Sequence, residues 1–161
     1  MPTWKLPKDL VIRSGGQTGV DRAALDWAIL HGIRHRGWCP KGRLAEDGVI
    51  DPQYQLQETE SPTYSERTKK NVKDSDGTVL FSIAKGLTGG TLLTLRFARE
   101  LGKPWIHLHR NIGLPQRELL EFLGKYQVKD LNIAGPRNSS EPAAYNFVRE
   151  VLDRAFSELP S

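Results

Sequence analysis

Two glycine-rich runs carry the residues best suited to chemistry, Ser14-Gly15-Gly16-Gln17-Thr18-Gly19 and Thr88-Gly89-Gly90-Thr91. Each stands just before a helical pattern, and the chemistry this suggests is anion binding. The first N–H groups of a helix have no intrahelical partner, and the helix dipole adds partial positive charge there. Glycine lets a phosphate come close to the backbone. Neither run is a standard nucleotide fingerprint. GGQTGVD is not G-x-G-x-x-G, and no G-K-[ST] follows as a P-loop requires.

Four cations stand where they can serve the same ligand: Lys41, Arg43, Arg67 and Arg137. Their charge-assisted hydrogen bonds would neutralise an anion. Three carboxylates, Asp21, Glu46 and Asp47, could instead activate water if the protein is a hydrolase. Asp21 has a second explanation, since Thr18 reads as a helix N-cap with Asp21 completing a short capping box. Asn71, four residues after Arg67 on the same helix face, is placed to bond a ring edge. His107-x-His109 is the spacing of a metal pair, but no third ligand accompanies it, and hydrogen-bonded histidines within a sheet explain it better. The single Cys39 excludes an internal disulfide and reads as a small buried thiol.

The elements that must position these residues alternate strand with helix. Leu10-Val11-Ile12 is a short buried strand. Val20, Ala23, Ala24, Trp27 and Ala28 then mark one face of a helix, which stops at His31-Gly32. A short second strand is expected over His35–Pro40. Lys41 to Tyr64 is polar and weakly periodic, and is expected to form a partly ordered flap over the sheet edge. Ser65–Asp74 is a charged helix, with Asp76 in the turn beyond it. Thr78–Ile83 is a strand leading to the second glycine run, and Leu92, Leu95, Ala98 and Leu101 mark the helix after it. Trp105–His109 is a strand, Pro115–Tyr126 a helix, Asp130–Gly135 a strand and Pro142–Leu159 the last helix.

Five strands alternating with helices predict an α/β fold, a Rossmann-like three-layer αβα sandwich over one domain, residues 1–161. In such sheets ligands bind beyond the carboxyl ends of the strands, where strand order reverses. The strand order 2-1-3-4-5 is expected, because it sets both glycine runs side by side. A single anion clamped between Gly16-Gln17-Thr18-Gly19 and Gly89-Gly90-Thr91 would follow. The broad apolar stripe of the last helix further suggests a homo-oligomer, a dimer or tetramer.

The chain has 161 residues and a formal net charge of +4. Its length fits one domain with a real core. No apolar stretch is long enough for a bilayer, and MPTWKLPKDL has no signal-peptide hydrophobic region, so a cytoplasmic location is expected. The pI near 9.3 favours anionic partners. With no long basic run or RNA-binding aromatic motif, a mildly basic surface is expected rather than a nucleic-acid stripe.

GGQTGVDRAALDWA, GWCPKGRLAEDGVI, YSERTKKNVKDSDGTVLF, TGGTLLT and NIAGPR, in that order, resemble the putative molybdenum carrier proteins. That family is grouped with Rossmann-like nucleotide-sensing proteins, beside the Lonely Guy phosphoribohydrolases and the DNA-processing protein family. The resemblance runs from about Leu10 to the last helix. It implies a Rossmann-like domain that holds a phosphorylated ligand, molybdenum cofactor or a nucleotide derivative. Phosphoribohydrolases of the wider group carry P-G-G-x-G-T-x-x-E with a catalytic glutamate. Here the run is shorter, and Thr94 stands at the glutamate's place.

A carrier is therefore the expected function, with Gly15, Gly16, Gln17, Thr18 and Gly19 on one phosphate and Gly89, Gly90 and Thr91 on a second anionic group. Lys41, Arg43, Arg67 and Arg137 would supply charge. Molybdenum cofactor could be held through its phosphate and pterin, without Cys39. The alternative is a nucleotide N-glycosidic hydrolase.

Overall fold

The computed structural model describes residues 7–157. Most of the arm expected at Met1–Lys8, and Leu159 of the last helix, lie outside the described residues. The main sheet holds β1 (Val11–Arg13), β2 (Arg34–Arg36), β7 (Gly77–Ser82), β8 (Trp105–His109) and β9 (Asp130–Ala134). Every pairing in it is parallel. The helices are α1 (Val20–Leu30), α2 (Tyr64–Asp74), α3 (Gly89–Glu100), α4 (Pro115–Tyr126) and α5 (Ala144–Ser157). This is the Rossmann-like α/β sandwich that the alternation predicts.

The strand order is not the expected one. The sheet runs β2-β1-β9-β7-β8, so the last strand enters between the first and third strands of the alternation. Ile12 is level with Leu131, and Val79 with Ile133. Strand order is a long-range choice. Both orders bury the same alternating side chains, and nothing local in DLNIA distinguishes them.

One large core lies on one face of this sheet. Ile12, Val79, Phe81, Leu131 and Ile133 meet Val20, Ala24, Trp27 and Ala28 of α1, Leu119 and Leu123 of α4, and Val148, Val151 and Leu152 of α5. Trp27 is held at both ends. Its Nε1 donates to Asp153 Oδ1 at 2.8 Å, and its ring lies 4.9 Å from that of Phe156. The stripe on α5 is thus consumed within the monomer, where Ala144, Phe147, Val148, Val151, Leu152 and Ala155 are all buried. The stripe itself is therefore not open to a partner subunit. Helices α2 and α3 contribute nothing to that core. They pack on each other, α2 against β9 and α3 against β7.

Residues 41–63 are more ordered than a flap. They contain a hairpin of β4 (Leu44–Ala45) and β5 (Gly48–Val49), and then β6 (Gln57–Glu58), which pairs with β3 (Trp38–Cys39). Leu25, Cys39, Ile50 and Tyr54 form a second small core with Ala45 and Leu56. Among the described residues no helix is long and apolar enough to cross a membrane.

Candidate functional site

The carboxyl ends of β1, β9 and β7 open into one cavity of about 240 Å³. Its floor is Asn132, Ile133 and Ala134 at the end of β9, continuing into Gly135, Pro136 and Arg137. Gly15, Gln17 and Asp21 follow β1 on one side. Thr88, Gly89, Gly90, Thr91 and Thr94 follow β7 on the other, and Tyr64, Arg67, Thr68 and Asn71 of α2 form the third wall. Tyr64 is half-exposed at the rim, with the Arg67 guanidinium 5.2 Å from its ring centroid.

The second glycine run opens α3 at this cavity. Gly89, Gly90 and Thr91 are the first three residues of the helix, and no described residue accepts their N–H groups. Thr88 gives no side-chain cap. A Cβ at Gly90 would meet nothing within 4 Å. These amides have the open geometry that anion binding requires.

The first glycine run is built differently. The Gln17 N–H donates to Asp21 Oδ2 at 3.3 Å, and the Thr18 N–H to Gln17's own Oε1 at 3.0 Å. The Val20 N–H donates to the carbonyl of Pro136 at 3.2 Å. Thr18 is not the N-cap. Gly19 is, at φ +80°, and Thr18 Oγ1 instead donates to Glu46 and accepts the Asn138 N–H at 3.1 Å. A Cβ at Gly19 would lie 2.5 Å from the Pro136 carbonyl, so this glycine lets the start of α1 pass against the loop after β9. Gly16 is turned away from the cavity, toward Leu56 and Ile50.

Gly15 serves the site indirectly. An added Cβ would sit 2.3 Å from Nη1 of Arg67. The bare backbone lets that guanidinium lie over the turn and donate to the Gly15 carbonyl at 2.8 Å. The same Nη1 is 3.7 Å from Asp21 Oδ2. Asp21 is buried, and desolvation raises its pKa from 3.8 to about 6 against the opposing pull of Arg67, the Gln17 N–H and Arg22.

The other expected cations divide. Arg137 lines the cavity, is exposed, and its guanidinium meets no described partner. Arg43 does not reach the cavity. Its guanidinium is spent on the carbonyls of Ile50, Asp51, Tyr54 and Leu56 at 2.8–3.3 Å, at a backbone φ of +55°, and it organises residues 43–56. Lys41 is exposed and outside the cavity. Of the carboxylates, only Asp21 lines it. Glu46 binds Ser139 through its N–H at 3.1 Å and its Oγ at 2.5 Å, which holds its carboxyl below the usual range. Asp47 is paired with Arg22 at 3.0 Å.

Asn71 spends its amide on the backbone of Trp38, accepting its N–H at 2.8 Å and donating to its carbonyl at 3.0 Å. Thr94 donates to the Gly90 carbonyl at 2.8 Å and brings no acid to the site. His107 meets Ser82 Oγ at 2.6 Å, away from the cavity. Among the described residues no group of three His, Cys, Asp or Glu could hold a metal. Cys39 is sealed in the small core with its thiol pushed up, chiefly by burial. Tyr64 and Asn132 are cavity residues that lie within the quoted motifs but were not among the expected site residues. A polar residue within the apolar strand DLNIA was the available signal for Asn132, and an aromatic three residues before Arg67 was the signal for Tyr64.

Comparison with known proteins agrees with this fold. A model of the circularly permutated YpsA SLOG family matches residues 12–156. A crystal structure of a putative molybdenum carrier protein from Syntrophus aciditrophicus SB is 45% identical, with a TM-score of 0.88, covering 91% of this chain and 93% of that one. The resemblance carried by the five motifs is thereby borne out. A structure of (E)-4-hydroxy-3-methyl-but-2-enyl diphosphate reductase is 13% identical over 90% of this chain and 59% of that one. Its TM-score of 0.41 is too low to bear on the site. No curated protein matches the chain.

Proposed function

The chain belongs to the circularly permutated YpsA SLOG family, and from that premise we propose that it binds and carries a phosphorylated small molecule, molybdenum cofactor or a nucleotide derivative. One observation carries this reading. Three adjacent amides, those of Gly89, Gly90 and Thr91, face a cavity with no protein acceptor, beside the unpaired guanidinium of Arg137. A phosphate there gains hydrogen bonds, the dipole of α3 and one opposite charge.

The cavity of about 240 Å³ lies just below the usual range of ligand pockets, roughly 300–1,000 Å³, and so suits one small ligand rather than a dinucleotide. Tyr64 at the rim offers a ring face to a base or a pterin. Neither cysteine nor histidine lines the cavity, so molybdenum cofactor would be held as cargo through its phosphate and pterin. The name of the 45% identical relative favours that cargo. Mass spectrometry of the small molecules that co-purify with the protein tests the reading directly. A phosphorylated pterin or nucleotide is the expected finding. Calorimetry that detects no binding of any phosphate monoester would refute it.

A second reading rests on Asp21. It is the one candidate carboxylate that lines the cavity, and with a pKa raised to about 6 it can hold or release a proton near neutrality. In an N-glycosidic hydrolase it would take the proton from the attacking water. Free base released from nucleoside monophosphates, and lost in Asp21→Asn, would favour hydrolysis over carriage.

A further inference from the structure

The two ends of the cavity differ in charge, and the strand order sets how far apart they are. β9 lies between β1 and β7. The carboxyl ends of β1 and β7, which lead to the two turns, are therefore two strand spacings apart, about 10 Å. The two turns are thus not on neighbouring strands, as the single clamped anion assumes. A ligand that fills the cavity has a second end, and that end meets Asp21 and Arg67.

Asp21 is only 6% exposed. Its Oδ2 accepts the Gln17 N–H, while Oδ1 accepts nothing from a described residue. No buried side-chain oxygen in the described residues is both sealed and unpartnered, so Oδ1 opens onto the cavity that Asp21 lines. A free acceptor held in a desolvated wall attracts donors and repels anions. Arg67 offsets part of this charge from the Oδ2 side, where its Nη1 lies 3.7 Å away, while its Nη1 and Nε donate to the Gly15 carbonyl at 2.8 Å and Thr68 Oγ1 at 3.2 Å, and neither bonds Oδ1.

We propose that the site takes a bipolar ligand: a phosphate monoester bound at Gly89–Thr91 whose far end is neutral and donates hydrogen bonds through hydroxyl or amino groups to Asp21, which excludes ligands phosphorylated at that end. This rests on the phosphate reading of the α3 turn. It goes further by assigning a specificity residue and a ligand class.

Calorimetric titration with inorganic phosphate, ribose 5-phosphate and ribose 1,5-bisphosphate tests it. Ribose 5-phosphate should bind at least tenfold tighter than inorganic phosphate and at least tenfold tighter than the bisphosphate. In Asp21→Asn, checked for folding by circular dichroism, both gaps should shrink to about threefold or less. A bisphosphate that binds wild-type protein as tightly as ribose 5-phosphate overturns the proposal, as do gaps unchanged in Asp21→Asn. Phosphate and ribose 5-phosphate binding equally would sink the proposal while leaving the α3 phosphate site standing. Failure of all three to bind removes that site and the proposal together. Should Asp21→Asn not fold, the wild-type comparison decides alone.

Discussion

The two glycine runs look alike as sequence and differ as structure. Both follow a parallel strand, and both precede a helix with glycine and threonine at its mouth. In the first run, side chains and a neighbouring carbonyl have already taken the amides of Gln17, Thr18 and, just beyond the run, Val20. Asp21, Gln17 and Pro136 are the acceptors. In the second, the amides of Gly89, Gly90 and Thr91 are free and face the cavity. Gly16 and Gly19 are glycines because of a positive φ and of what packs against them. A Cβ at Gly90 would touch nothing. Composition reports that a turn needs no Cβ. Only the acceptors around it decide whether it serves packing or a ligand.

The comparison breaks most directly at Gly19. Gly19→Ala forces an L-residue to φ +80° and sets a methyl 2.5 Å from the Pro136 carbonyl. The expected loss of stability in urea unfolding is roughly 3 kcal/mol or more. If Gly19→Ala kept wild-type stability but lost ribose 5-phosphate binding, the first run would be a ligand surface after all. Gly16 serves poorly for this purpose, because a Cβ there would lie 2.6 Å from Leu56 Cδ1 and disturb the small core as well.

The carboxylate that accepts the Gln17 N–H makes the next largest difference. Asp21 has a folded pKa of about 6 against an ordinary 3.8. Between those values the folded chain holds more protons than the unfolded one. Stability from this group is therefore highest at low pH and is lost as pH rises through 6. Asp21→Asn removes the buried charge, so it should stabilise the protein at pH 8 by as much as ~3 kcal/mol. The gain should shrink as pH falls through 6 and vanish near 4. A variant less stable than wild type at pH 8 would mean that the bonds to Gln17 and Arg67 outweigh desolvation.

At the open turn the expected effect moves from stability to binding. Gly90→Val places a branched side chain where the phosphate approaches, in a space that is otherwise empty. Stability should stay within about 0.5 kcal/mol of wild type, since the site is exposed and sterically free. Affinity for ribose 5-phosphate should fall at least tenfold. Undiminished affinity in calorimetry would move the anion away from α3.

Most of the fold was legible because it rests on local periodicity. The apolar face of α1 and the stripe on α5 lie where the spacing puts them. What escaped was long-range. The place of β9 in the sheet depends on how loops and helices close over it, and DLNIA fits an inner strand at either position. The same holds within the site. Arg67 and Arg137 reach the cavity, but Arg43 does not, because the carbonyls of residues 50–56 turn back to it. A sequence records that an arginine is present, and not which carbonyls will fold around it. Asp47 was equally ambiguous until Arg22, 25 residues earlier in the chain, proved to be its partner. Arg13 shows the limit plainly. It lies buried at the end of β1, fully engaged with Asp130, 117 residues away, at 2.8–2.9 Å.

The smallest expected effect belongs to Arg137, and it sharpens the contrast between the two turns. Its guanidinium is exposed at the cavity mouth and has no described partner, so it is free to meet a phosphate at the α3 turn. Arg43 is fully committed and is not. Arg137→Ala should leave unfolding unchanged while weakening ribose 5-phosphate by about fivefold, because an exposed charge acts through solvent and is screened. The same reasoning predicts how salt enters. Raising ionic strength from about 0.05 M to about 0.5 M shortens the screening length well below 10 Å, and the wild-type advantage should nearly disappear. Arg43→Ala should do the reverse, lowering thermal stability while the folded fraction binds normally. If Arg137→Ala binds as wild type does at low salt, the phosphate is held by the amides of α3 alone.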